Sequence, residues 1–224
     1  MKQNLQFFIV IVLLLSTQAA KSQQSQQAFL ESYGATGTQE MFYRTSVLKG
    51  TDGFIYVCGA TLNADGNYDM LLTKMTNHNV VVWTQQYAGV AGGDDFAADL
   101  VQDGAGNIII TGAEYISATN YNAITIKYNS SGVQQWLKSY NGAANSFDGG
   151  ISVVGDASNN IYMCGGSYGT TTFSDFLCIK YNSSGVQQWA SIWNSVGMQD
   201  ISARLAVSAT QVSVIGASQQ SAID

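Results

Sequence analysis

The chain has 224 residues, of which 46% are hydrophobic and only 11% charged, with a formal charge of -6, 23 glycines and no proline. This composition argues against a disordered polymer, because there is ample apolar surface to bury. The acidic balance, with no basic cluster, argues against nucleic acid as a partner, since Lys and Arg on phosphate supply most of that affinity.

At the N-terminus, Lys2 precedes the apolar run Phe7–Leu15, and small residues follow at Ser16, Thr17, Ala19 and Ala20. A run this short cannot span a bilayer, which takes about 20 residues. A positive start, a short apolar core and a small-residue exit predict a secretory signal peptide over 1–23, cleaved between Ala19 and Gln23. No cysteine lies near that exit, so a lipid anchor is not expected, and no later apolar run approaches a membrane span. Export to the cell surface or beyond it is the localisation this leader predicts.

Beyond the leader the chain repeats itself. The stretch IKYNSSGVQQW occurs at Ile126–Trp136 and again, unchanged, at Ile179–Trp189. Trp83, Trp136 and Trp189 stand 53 residues apart, as do Lys74, Lys127 and Lys180, and Gly59, Gly112 and Gly165. Asp69, Asn122 and Asp175 keep the same interval. IYVCG, IIITG and IYMCG are aligned copies, and VSVIG at Val212–Gly216 is a fourth. A period of this length marks a solenoid, a propeller or an array.

Within each unit the runs are strand-like. In the second unit they are Asn107–Ala113, Asn120–Tyr128, Val133–Tyr140 and Phe147–Gly155, rich in Ile, Val, Thr and Tyr and bounded by small polar residues. NSSG and DGAGN read as tight hairpin connections. Some runs, such as Ile108–Ile110 and Val80–Trp83, are apolar at consecutive positions and predict burial on both faces. Four-stranded antiparallel units stacked side by side satisfy that requirement, as the blades of a β-propeller do.

These motifs resemble the bacterial repeat known as SBBP, the seven-bladed β-propeller repeat: Gly106–Gly112, Asn122–Ile126 and Ile126–Trp136, and again Asn160–Gly165, Asp175 and Ile179–Trp189. The first copy departs from the pattern, with KMTNHNVVVW in place of KYNSSGVQQW. The resemblance implies an all-β propeller over 24–224. It also implies an exported bacterial protein of a kind often followed by adhesive or sorting domains.

Strand counting predicts three full blades and a partial one. Ala28–Tyr33 reads as the third strand, and Met41–Leu48 as the fourth, of a blade that the C-terminal strand Val212–Gly216 would join. The last residues, SAID, stop where Asp175 begins a strand in the preceding unit, and read as the front part of a longer propeller. An unpaired blade edge predicts self-association.

Residues with chemical capacity are few. Asn63, Asp65, Asn67 and Asp69 alternate like the start of a calcium loop, but glycine falls too early and Lys74 stands where the closing Glu belongs. Asp94, Asp95, Asp99 and Asp103 form the densest acidic stretch, and paired carboxylates can hydrolyse glycosides. Asp95 and Asp103 recur as Asp148 and Asp156, however, which predicts turn braces. His78 is the only histidine and falls in a hairpin. The repeated tryptophans, with Tyr87, Tyr140 and Trp193 four residues on, could stack sugars, but their regularity predicts packing between units. Asn129 and Asn182 match a glycosylation pattern and read as turns. Cys58 and Cys164 fall in non-neighbouring units; Cys164 and Cys178 could pair across adjacent strands, and buried free thiols are expected for all three.

No catalytic, cofactor-binding or metal-binding residue is assigned. The expectation is a non-catalytic exported scaffold with a protein or glycan ligand. The alternative is a polysaccharide hydrolase or lyase with its active site in a propeller channel.

Overall fold

The structure, a computed structural model, describes residues 46–170, 174–194, 200–208 and 210–218. The expected signal segment and the strand expected at Ala28–Tyr33 lie outside them. All regular elements described are strands. They are β1 (Ser46–Lys49), β2 (Ile55–Leu62), β3 (Tyr68–Met75), β4 (Val81–Tyr87), β5 (Phe96–Gln102), β6 (Ile108–Ser117) and β7 (Asn120–Tyr128). There follow β8 (Gln134–Tyr140), β9 (Asp148–Gly155), β10 (Ile161–Tyr168), β11 (Ser174–Tyr181), β12 (Gln187–Trp193), β13 (Asp200–Val207) and β14 (Val212–Ser218).

Three antiparallel sheets run in chain order, β1–β4, β5–β8 and β9–β12, and β13 pairs with β14 in a two-stranded sheet. One turn chemistry closes most of the hairpins. A side-chain oxygen accepts the backbone N–H two and four residues on: Asn129 from Ser131 (3.0 Å) and Val133 (2.9 Å), Asn182 from Ser184 (3.0 Å) and Val186 (2.9 Å). Asn63, Thr76, Asp103 and Asp156 do the same. The residue three on then takes a positive φ, as at Gly132 (83°) and Gly185 (78°), where a Cβ is disfavoured. These turns need an acceptor and a left-handed position, which explains how the chain dispenses with proline.

The sheets stack face to face through one repeated relation. Strand β5 lies on β1, β2 and β3; β9 lies on β5, β6 and β7; β13 lies on β9, β10 and β11. Alternate residues of a strand therefore enter different cores. Ile124, Ile126 and Tyr128 of β7 pack with Met70 and Leu72 of the first sheet, whereas Ala123 packs with Leu177 and Ile179 of the third. Ile108, Ile109 and Ile110 are all buried, as expected for a strand covered on both faces.

Close approach of strands requires glycine at one recurrent position. A Cβ on Gly112 would lie 1.9 Å from the Phe96 carbonyl oxygen, and one on Gly165 would lie 1.8 Å from that of Gly149. Opposite each glycine the facing strand bulges, between Ala97 and Asp99 in one sheet and at the Gly165 register in the next. The same irregularity falls between Ser202 and Arg204, opposite Gly216.

Two expectations are corrected. The four runs of a sequence unit are not one sheet: the run expected at Phe147–Gly155 is β9, which pairs with β10 and heads the next sheet. Likewise β1 pairs with β2 and does not join a C-terminal sheet. The reason is loop length, since five-residue Asx-type turns close hairpins while the longer segments 88–95 and 141–147 carry the chain between sheets. Second, Val80, Val81 and Val82 are exposed (61%, 57% and 48%). They lie at the entry to β4, an edge strand, where Val81 pairs with Met75, Trp83 pairs with Lys74 and Val82 is the extra residue of a bulge.

Candidate functional site

Each sheet carries a Lys and a Trp as direct cross-strand partners: Lys74 with Trp83, Lys127 with Trp136 and Lys180 with Trp189. Lys74 Nζ (3.2 Å) and Trp83 Nε1 (3.3 Å) both donate to the Ser130 carbonyl, in the β7–β8 turn of the second sheet. Lys127 Nζ and Trp136 Nε1, each at 3.2 Å, both donate to the Ser183 carbonyl in the β11–β12 turn of the third. Gly132 rests on the Trp83 ring and Gly185 on the Trp136 ring. Trp83 and Trp136 thus join one sheet to the next, as the spacing predicted.

Each lysine is also anchored within its own sheet. Lys127 pairs with Asp103 at 2.7 Å and Lys74 with Asp52 at 2.9 Å. Burial works to raise the Asp103 carboxyl, but hydrogen bonds from Lys127 and Asn107 outweigh it and hold it below its ordinary value. Lys180 lies 5.0 Å above the Tyr162 ring, a cation–π contact.

A second group of polar residues sits between the first two sheets. Asp95 accepts the N–H groups of Gly89 (2.5 Å) and Tyr115 (2.7 Å), bracing the sheet-to-sheet loop against β6. Burial pushes its carboxyl up, those two N–H groups offset part of the shift, and the nearby Glu114 and Asp69 add to it. Glu114 accepts the hydroxyls of Tyr87 (2.5 Å) and Ser139 (3.1 Å). Asp69 accepts the amides of Asn63 (2.9 Å) and Gln86 (2.6 Å). Asp69, Asp95 and Glu114 are exposed by only 3%, 1% and 6%, so substrate has no direct access to them. Sequence reasoning missed this group; its signal was Glu114, which stands where the neighbouring repeats have Thr61 and Ser167.

The other candidates fall as follows. In the Asn63–Asp69 loop, Asn63 braces its own turn, Asn67 donates to the Gly92 carbonyl (2.8 Å) and Asp65 is exposed. Asp94 accepts the Tyr68 N–H (2.8 Å). Asp99 accepts Ser46 Oγ (3.0 Å) and the Val153 N–H (3.1 Å), touching the first and third sheets from the second. Asp148 repeats the Asp95 brace through Gly142 (2.6 Å), and Asp156 the Asp103 turn. His78 is exposed in its hairpin. No group of three or more His, Cys, Asp or Glu side chains is arranged to hold a metal among the described residues. No disulfide joins Cys58, Cys164 and Cys178, Cys164 stands directly opposite Cys178, and burial pushes the Cys58 and Cys178 thiols up to about 12.

On the third sheet the surface is different. Phe176 and Trp193 stack at 5.4 Å, and with Leu177, Cys178, Ser191 and Val214 they line a cavity of about 370 Å³. Trp189 and Trp193 are 38% and 55% exposed, whereas Trp83 and Trp136 are partly covered.

Fold and site together define a class: an all-β repeat protein of stacked four-stranded antiparallel sheets, joined by a Lys–Trp clamp on the next sheet's turn. Comparison of the chain with family models and with curated proteins finds no match.

Proposed function

We propose that the chain is an exported, non-catalytic repeat protein of the propeller type, related to the SBBP repeats it resembles, and that it serves as a rigid scaffold for protein or glycan contacts at or outside the cell surface. The observation that carries this reading is where the polar groups go. Asp95, Asp148, Lys74, Lys127, Trp83 and Trp136 are engaged in joining strands and sheets and do not converge on an open cleft, while the third sheet presents exposed aromatic side chains at Trp189 and Trp193. The stacking relation repeats from sheet to sheet, which supports a propeller-like course about an axis. The leader Lys2–Ala20 supports export.

The buried Asp69–Asp95–Glu114 group is the feature that favours the rival reading, a polysaccharide hydrolase or lyase, because it breaks the repeat. Its enclosure weighs against that reading. A glycan-binding screen run beside a panel of polysaccharide turnover assays separates the two. The scaffold reading expects binding without turnover; turnover that is lost in Asp95→Asn would overturn it.

A further inference from the structure

One row of the repeat changes chemistry from sheet to sheet. Cys58 on β2 stands opposite Leu72 on β3, Thr111 on β6 opposite Thr125 on β7, and Cys164 on β10 opposite Cys178 on β11. Of these three sheets, the third alone sets two sulfurs in register. The backbone fixes how close they come. In the β9–β10 turn the Asp156 N–H donates to the Asn160 carbonyl at 3.0 Å, and hydrogen-bonded and open pairs alternate from there. The register runs unbroken through Gly155 with Ile161, Val154 with Tyr162 and Val153 with Met163 to Ser152 with Cys164, which the alternation makes a hydrogen-bonded pair. The amide and carbonyl of Cys164 therefore face β9, and on its other side Cys164 with Cys178 is a non-hydrogen-bonded pair. Such pairs bring Cα atoms to about 4.5 Å and their side chains closest together. That spacing lies inside the range of disulfides, roughly 4.4–6.8 Å.

We propose that Cys164 and Cys178 are a disulfide-forming pair: when the chain folds in the presence of a disulfide-type oxidant, they join in a cross-strand bond that braces the third sheet, while Cys58 stays a thiol. The two sulfurs are not bonded in the structure, which is therefore the reduced state. One cysteine thiolate attacks the oxidant's sulfur–sulfur bond, forms a mixed disulfide and releases one thiolate. The second cysteine attacks the protein-side sulfur and releases the other. One R–S–S–R and two protein thiols thus give one protein disulfide and two R–SH, the cysteine protons passing to the released thiols. The inference goes beyond the exported-scaffold reading and rests on it only for where the chain meets such an oxidant.

The second sheet shows that side chains in this register meet. At the matching positions, each 53 residues earlier, Thr111 Oγ1 and Thr125 Oγ1 lie 3.5 Å apart. Cys164 and Cys178 also share one core, with Tyr162 and Leu205. Cys58 lies in another, with Met70 and Leu72, and has no cysteine within reach. The order of events follows from burial. Leu205 and Val207 of β13 belong to the core that holds the pair. There burial, with the neighbouring Cys164 adding to it, pushes the Cys178 thiol up to about 12, and the thiolate that must attack is scarce. The bond is therefore made while the β10–β11 hairpin stands uncovered, before β13 seats on it.

The test refolds the full chain from urea in two buffers, one holding reduced and oxidised glutathione and the other dithiothreitol, with a thermal melt of each product. In denaturant the dithiothreitol product should titrate all three cysteines as thiols. The glutathione product should titrate Cys58 alone and be lighter by two hydrogens. Chymotrypsin, which cuts at Tyr168 and Phe176 between the paired cysteines, should release from it two peptides that stay joined until reduced. The bonded form should melt about 5 °C or more above the reduced form. Cys164→Ala and Cys178→Ala should each abolish the joined peptides and that gain, and one of them suffices where the other fails to fold. Cys58→Ala should keep both. Three thiols in the glutathione product, glutathione retained on Cys178, a bond to Cys58, or a bonded form that melts no higher than the reduced one would overturn the pair. No step involves secretion or a ligand, so failure here leaves the scaffold reading standing, and polysaccharide turnover would remove that reading without touching the bond.

Discussion

Asp103 and Asp148 are both buried aspartates, yet they respond to pH in opposite directions. The Asp103 side chain is fully enclosed and paired with Lys127. Its carboxyl sits below the ordinary 3.8, so its contribution is complete above that pH and is lost as pH falls through the folded value. Lys127→Met would leave the carboxylate buried without its cation and is expected to lower stability by about 3–5 kcal/mol in a denaturant titration at neutral pH. Among the described residues no cation pairs with Asp148. Burial pushes its carboxyl above 3.8, and the Gly142 N–H and Ser167 hydroxyl offset only part of that shift. Its contribution is complete below 3.8 and is lost as pH rises through the folded value. Asp148→Asn keeps an oxygen for Gly142 and offers an N–H toward Ser167, directly across the strand pair. Thermal melts should therefore place this variant above the native protein at pH 7, with the advantage gone at pH 3.8; a lower melting point at pH 7 would refute the argument. The recurrence of both residues marked them as braces in the sequence, but only burial and the presence of Lys127 separate their signs.

At the scale of elements, strands and turns were legible because each depends on near neighbours. The run expected at Asn120–Tyr128 is β7 to the residue, and Asn129, Asn182 and His78 fall in the turns expected of them. What was not legible was which runs share a sheet, since pairing across 141–147 or 156–160 depends on how far each connection reaches. Gly165 is the sharpest test of that pairing. A Cβ there meets the backbone oxygen of Gly149 and not a yielding side chain. Gly165→Ala is expected to cost about 3 kcal/mol or more, because overpacking against backbone has no easy relief, and to lower protection of Asp148–Gly155 in hydrogen exchange. A near-neutral melt would show that β9 and β10 can separate without penalty. Asn129→Ala removes one acceptor for two N–H groups in an exposed turn, and because water can replace it the loss should be about 0.5–1.5 kcal/mol, the net worth of a hydrogen bond.

Over the whole molecule, copies that match letter for letter differ in what they hold. Trp136 and Trp189 stand at the same place in IKYNSSGVQQW, but Trp136 donates to Ser183 of the next sheet and Trp189 is 38% exposed. Replacing the indole by a phenyl ring should therefore cost about 1 kcal/mol for Trp136→Phe, the net worth of a hydrogen bond. For Trp189→Phe the change should stay within about 0.5 kcal/mol, as at an exposed site. Parallel urea titrations decide the matter, and equal losses would mean that Trp189 is held by a contact like that of Trp136.

Though not for the exposure of Val80–Val82 at a sheet edge, the amino-acid sequence was sufficient for the repeat, for strands such as β7, for the hairpin turns and for the covering of β6 on both faces. Those properties follow from residue type and spacing within a few positions of the chain. Tertiary structure alone decided where one sheet stops and the next begins, which acids carry a cation, why Glu114 breaks the pattern, and which tryptophan has a carbonyl to bind. Each of these depends on groups about 20 to 60 residues away, and identical local sequences acquire different partners according to what the neighbouring sheet places against them.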